Sequence, residues 1–221
     1  MNFDIITLFP KVFEPYLTES ILGRALKNKI IKVKLHDLRK FSSDRKHFKV
    51  DDRPYGGGPG MVLKIESLVK AVNNALKGVT KSQRVKTKVV ILSPSGKQFT
   101  NLTALNWVKN YKRIILICGH YEGVDARIKK IFKTEEVSIG PYVLTGGELP
   151  ALIIVDSLSR KINGVLGKHE SLEEERLGVG VPAYTRPEKF VYKNKKYYVP
   201  KELISGDHKA ITNWRISHRK S

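Results

Sequence analysis

Apolar residues along this chain fall into short runs whose spacing changes from one run to the next. FDIITLF (3–9) is a nearly continuous apolar run of strand length and predicts a buried strand. KVFEPYLTESILGRAL (11–26) has helical spacing, with an interruption expected at Pro15. KIIKVKLHDL (29–38) alternates as a strand does, with Ile31, Val33 and Leu35 on one face. In 64–76, Ile65, Leu68, Val69, Val72 and Leu76 line one helix face. KVVILS (88–93) and RIILICG (113–119) are β-branched runs closed by turn residues, hence buried strands. NLTALNWVK (101–109) fits a helix connecting them. EEVSIG (135–140) offers another strand, and LPALIIVDSLSRKI (149–162) a largely apolar helix. Strands alternating with helices predict an α/β domain with a largely parallel sheet.

Two stretches break the pattern. FSSDRKHFKVDDRPYGGGPGM (41–61) is too charged and glycine-rich for a regular element. After the first domain, assigned to 1–165, the composition turns polar and then glycine-rich, so 166–182 reads as a mobile interdomain loop. The remaining segment, 183–221, is basic and aromatic, with Tyr184, Phe190, Tyr192, Tyr197, Tyr198 and Trp214. It is small to fold alone and is expected to pack on the first domain or on a second copy of the chain.

Composition narrows the class. The chain has 221 residues, 41% hydrophobic and 28% charged, which is globular and long enough for an ordinary core. A single cysteine, Cys118, excludes an internal disulfide framework and a cysteine-cluster metal site. The N-terminus does not resemble a signal peptide. The longest apolar run, ALIIV, is far short of the ~20 residues of a spanning helix, so a cytoplasmic protein without membrane contact is expected. The net charge of +20 is clustered: residues 24–53 hold eleven Lys/Arg against four Asp/Glu, and 186–221 hold ten against three. Such patches are the footprint of a phosphate-backbone partner. A lysine-biased composition carried for solubility is the alternative reading.

Three turn-rich loops follow three buried strands: SPSG (93–96), GHYEG (119–123) and GPYVLTGG (140–147). In open α/β sheets, ligands bind beyond the carboxyl ends of the strands. Small and apolar side chains leave mainly backbone groups for contact, which suits a flat neutral group such as adenine better than a triphosphate. No P-loop lysine is present. Equally, the glycines serve turns, with Thr145 and Glu148 forming a capping box for the next helix despite Pro150. DDRPYGGGPGM (51–61) leaves backbone bare for a large partner, with Arg53 for phosphate and Tyr55 for stacking on a base, or else is a flexible surface loop. HESLEEER (169–176) is a solvated acidic face, or a loop whose carboxylate acts as general base. Arg160 stands four residues after Asp156, the spacing of an ion pair on one helix. The histidines show no metal-ligand spacing, and no metal site is expected.

Taken in order and spacing, DDRPYGGGPGM, GHYEGVDARI, SIGPYVLTGGELPA, DSLSRKINGVLG and YTRPE resemble the bacterial tRNA (guanine-N(1))-methyltransferases, the TrmD family of the SPOUT class. The similarity runs from FDIITLFP to SGDHKAITNWR, nearly the whole chain. It implies a SPOUT-type parallel sheet with a deep trefoil knot, a small mainly helical C-terminal domain that binds tRNA, and a homodimer with active sites at the subunit interface. The implied reaction is methyl transfer from S-adenosylmethionine to ring nitrogen 1 of guanosine at tRNA position 37, with a part for Mg²⁺ left open. The family's cofactor contacts fall on Leu92, Pro94, Gly119, Tyr121, Glu122, Ile139, Gly140, Pro141, Tyr142, Val143, Leu144, Gly146 and Gly147. Its O6-stabilising arginine falls on Arg160 and its general base on Glu175. Asp51, Asp52, Arg53, Tyr55 and Gly60 fall on the residues around the target base.

The chain departs from the family pattern in three places. Glu175-Arg176-Leu177 stands where the family has Asp-Ser-Phe, with Glu173 and Glu174 beside it as further carboxylates. Pro141 replaces an aspartate of the cofactor loop. The sequence ends soon after Trp214-Arg215, where the family continues, so RNA binding is expected to depend strongly on salt. A non-enzymatic basic RNA-binding protein and a knotted enzyme acting on another RNA position are the competing readings.

Overall fold

The computed structural model describes residues 1–166 and 180–219. The chain divides into two compact units, Met1–Gly167 and Lys168–Ser221. In the first, the strands are β1 (Asn2–Thr7), β2 (Lys32–Asp37), β3 (Asp51–Asp52), β4 (Val62–Leu63), β5 (Thr87–Gln98), β6 (Arg113–Cys118) and β7 (Glu135–Ser138). The helices are α1 (Glu14–Leu17), α2 (Ser20–Lys27), α3 (Ile65–Ala75), α4 (Lys81–Val85), α5 (Asn101–Asn110), α6 (Arg127–Phe132) and α7 (Glu148–Ser159). Five strands form one parallel sheet in the order β2-β1-β6-β5-β7, while β3 and β4 pair separately and antiparallel.

The apolar runs of β1, β5 and β6 are continuous because both sheet faces are covered, as parallel crossover connections require. Along β6 the side chains alternate between two cores. Ile114, Leu116 and Cys118 join a cluster with buried residues of α2, α5 and α7. Ile115 and Ile117 join a second cluster with α3 and Ile128 of α6.

Two expectations change in detail. Pro15 does not interrupt its helix; it occupies the first turn of α1, where no backbone N–H is needed, and the break falls at Thr18–Glu19. The strand expected over 88–93 continues to Gln98. Leu92 and Lys97 both pair with Val137, so the intervening SPSG run is looped out of the ladder. Gly96 is required there by space: a Cβ would lie 2.4 Å from the Val137 nitrogen.

Asp4 on β1 is buried and accepts hydrogen bonds from His36 on β2, at 2.7 Å, and from Arg113 on β6. One carboxylate therefore ties three adjacent strands. Asp4→Ala strips the buried His36 of this partner and breaks the ion pair. It is expected to lower the unfolding free energy of the whole chain by ~3 kcal/mol in urea denaturation. A loss under ~1 kcal/mol, as for a surface pair, would show that the network adds little.

In the second unit, β8 (Lys189–Tyr192) and β9 (Lys195–Tyr198) form a hairpin, followed by α8 (Lys201–Ile204) and α9 (His208–Ser217). Lys193 and Asn194 have φ of 47° and 59°, the left-handed pair of a two-residue hairpin turn whose twist matches its strands. A hairpin and two helices make up the regular structure described in this unit.

Candidate active site

The three turn-rich loops meet at one end of the sheet, beyond β6 and β7 and at the SPSG run looped out of β5, and the three strands are neighbours. Together they enclose a pocket of about 440 Å³. The loop after the first part of β5 contributes Leu92 and Pro94, and the loop after β6 contributes Gly119, Tyr121 and Glu122. The loop after β7 contributes Ile139, Tyr142, Val143, Leu144, Gly146 and Gly147. Gly140 and Pro141 stand outside this wall. Gly140 is buried, its N–H donating to Ser138 Oγ at 3.3 Å and its carbonyl accepting from that hydroxyl at 2.8 Å, while Pro141 is exposed.

Two glycines explain why the wall closes. Gly147 has an ordinary φ of −83° but donates its N–H to the Gly119 carbonyl at 2.9 Å. A Cβ there would lie 2.6 Å from Cys118 Cα and 2.9 Å from the Gly119 nitrogen, both backbone atoms. At Gly146 a Cβ would meet Glu148 Oε2 at 2.4 Å and His120 Nδ1 at 2.9 Å. Tyr121, in the opposite wall, holds a left-handed φ of 56°, unfavourable for a residue with a side chain.

The capping box expected from Thr145 and Glu148 is not formed. Gly147 caps α7 with no side-chain bond, and Pro150 sits in the first turn. Glu148 turns inward instead, buried, and accepts from the Thr7 hydroxyl at 2.7 Å. The need to satisfy a buried carboxylate outweighs a local cap. Burial, and then the charge of Glu148, raise the Cys118 thiol well above its ordinary value of 9.0, so it stays protonated and unreactive. His120 lines the pocket, and its Nδ1 is buried without a hydrogen-bond partner among the described residues. The sequence motifs alone single out neither His120 nor the Thr7–Glu148 pair. Their spacing carries no chemical signature, and Thr7 and Glu148 are 141 residues apart.

The loop expected to meet a large partner adjoins this pocket. Glu122 donates its N–H to the Met61 carbonyl at 3.0 Å, and Leu63 donates to Gly123 at 3.0 Å. Gly60 has a φ of +89°, and a Cβ on it would lie 2.5 Å from the Glu122 carboxylate. Asp51 and Asp52 form β3, with Asp52 ion-paired to Lys64 at 3.2 Å, while Arg53 and Tyr55 are exposed.

Arg160 is not brought to the same pocket. It closes the C-terminal end of α7, whose first turn is at the pocket, and a helix of 12 residues is ~18 Å long. Its neighbour Asp156 accepts a hydrogen bond from Tyr16, which raises the tyrosine's pKa. Glu175 lies outside the described residues, as do Glu173 and Glu174. Among the described residues, no group of three or more His, Cys, Asp or Glu is placed to hold a metal ion. No described helix is long and apolar enough to cross a membrane.

The whole chain, residues 1–221, matches the family model described as tRNA (Guanine-1)-methyltransferase TrmD. A tRNA (guanine-N(1)-)-methyltransferase of Clostridioides difficile (strain 630) is 45% identical over 218 residues, covering 97% of this chain and 90% of that protein. Proteins of the same name from Geotalea uraniireducens (strain Rf4) and Endomicrobium trichonymphae are 44% and 41% identical. They cover 97% and 98% of this chain, and 84% and 93% of their own lengths.

Proposed function

This chain belongs to the tRNA (guanine-1)-methyltransferase family, and from that premise we propose that it methylates nitrogen 1 of guanosine at tRNA position 37, using S-adenosylmethionine. The observation that carries the proposal is the single pocket made by three glycine-rich loops, with backbone so close at Gly147 that no side chain could be added. Its size lies within the range of small-molecule sites. Backbone groups from the three loops would hold the adenosine and methionine moieties, with Gly140 and Pro141 supporting the third loop from behind. When bound, S-adenosylmethionine supplies an electrophilic methyl group.

The chain's own residues have two further tasks. Guanine nitrogen 1 carries a proton that must leave, and Glu175 would accept it. Loss of that proton drives negative charge onto O6, where the fixed guanidinium of Arg160 would stabilise it. The loop of Asp51, Asp52, Arg53, Tyr55 and Gly60 would seat the target base against the pocket edge.

Arg160 begins ~18 Å along α7 from its own pocket, which favours a homodimer in which a second copy supplies it. Leu149, Ile153, Asp156 and Arg160 are spaced to share one helix face, and Leu149 and Ile153 are exposed. A second copy covering this apolar face would carry Arg160 to the other pocket. The SPOUT trefoil knot belongs to the same reading, supported by the tight passage of Gly147 beside Cys118–Gly119. So do a tRNA-binding role for the C-terminal unit, the assignment of 166–182 as an interdomain loop, and a cytoplasmic location, where tRNA is found.

The test is methyl transfer from labelled S-adenosylmethionine to unmodified tRNA, comparing guanosine with adenosine at position 37. Incorporation only with guanosine is the expected result. Cofactor binding without transfer to either tRNA would overturn the assigned reaction.

A further inference from the structure

At the opposite edge of the sheet from the pocket, where β1, β5 and β6 begin, the register sets Asn2 and Thr87 beside Arg113. Lys112 donates its N–H to the Lys86 carbonyl at 2.8 Å, and Asn2 donates to Lys112 at 2.9 Å. These pairings form a groove of about 440 Å³ lined by Lys77, Lys86, Lys112 and Arg113, with Ser82 and Gln83 between them. No carboxylate belongs to its lining. Lys77, Lys86 and Lys112 are exposed and form no ion pair among the described residues. Arg113 is held in place by Asp4. The nearby Met1 ammonium has its pKa lowered, first by burial and then by the positive charges of Lys112 and Lys32.

We propose that this groove binds backbone phosphates of the tRNA, as a second contact surface at the far edge of the sheet from the methyl-transfer pocket. Like charges gathered from three separate chain segments repel one another, and a polyanion relieves that repulsion. Lysine ammoniums on flexible stems contact phosphate as point charges without reading sequence, which suits orienting a structured RNA. The strands between groove and pocket are about 20 Å long, less than one turn of a double helix, so one RNA can reach both. The inference rests on the tRNA reading above.

The test compares unmodified tRNA binding across a salt titration for the wild type, Lys86→Glu/Lys112→Glu and a control, Lys130→Glu/Lys133→Glu. The control changes net charge equally, at exposed positions that do not line the groove. Each phosphate contact adds ~0.7–0.9 to the slope of log affinity against log salt. The groove variant is expected to show a slope shallower by ~1.5 and affinity lower by ~10-fold at ~100 mM salt. S-adenosylmethionine affinity, measured on every variant, reports that the fold is intact. A groove variant with the slope of the wild type, or of the control, overturns the proposal. Binding is read without turnover. A wild type that binds tRNA but does not methylate it refutes the reaction alone, whereas one that binds no tRNA refutes both.

Discussion

Glu175→Gln is expected to lower methyl transfer by ~10³-fold while leaving S-adenosylmethionine affinity near that of the wild type. Glutamine keeps the length and hydrogen-bonding shape of the side chain but cannot take a proton. The loss should therefore appear in kcat at saturating tRNA, with little change in KM for either substrate. The residue is a glutamate in the Glu175-Arg176-Leu177 triplet, on the position where the family resemblance implies an aspartate. One extra methylene matters because a misplacement of about 1 Å can cost ~100-fold when geometry is tight. Glu173 and Glu174 stand beside it. Activity retained in Glu175→Gln, but lost in Glu173→Gln or Glu174→Gln, would move the base to that neighbour.

Gly147→Ala should weaken S-adenosylmethionine binding by ~100-fold or more and destabilise the fold by ~1–3 kcal/mol. The added methyl would sit 2.6 Å from Cys118 Cα, and backbone at the end of a central strand cannot yield as a side-chain tip can. Either the Gly147–Gly119 hydrogen bond lengthens or the loop after β7 moves outward, and both open the pocket wall. Gly57→Ala serves as the comparison. Gly57 has a φ of +78° but nothing within 4 Å of its would-be Cβ, so that variant should carry backbone strain without loss of cofactor affinity. Calorimetric titration with S-adenosylmethionine, paired with thermal denaturation, separates the two effects. Wild-type affinity in Gly147→Ala would mean that the close approach does not shape the cofactor site.

Much of the first unit was legible because burial on both faces of a parallel sheet leaves an unmistakable trace, a short β-branched run such as Arg113–Cys118. The amphipathic α3 was legible for the complementary reason, its one buried face. Short elements were not. The α6 helix spans six residues, too few for a period to establish itself, and β3 and β4 have two each. Pro15 misled because proline is disruptive within a helix yet favoured in its first turn, and only the observed boundary distinguishes the two.

For the site, the sequence by itself determined that three strand-ending loops would be rich in backbone and poor in charge, and the strand pattern implied that they lie at one edge of the sheet. Its motifs identified the family. Tertiary structure alone decided that Gly147 is required for space and not for an unusual φ, and that Glu148 pairs with Thr7 instead of capping α7. It alone carried Arg160 along α7 away from the pocket of its own chain, and gathered Lys77, Lys86, Lys112 and Arg113 around one groove. The physical reason is common to all four. Local periodicity reports which residues are buried, whereas strand order and register decide which distant residues meet.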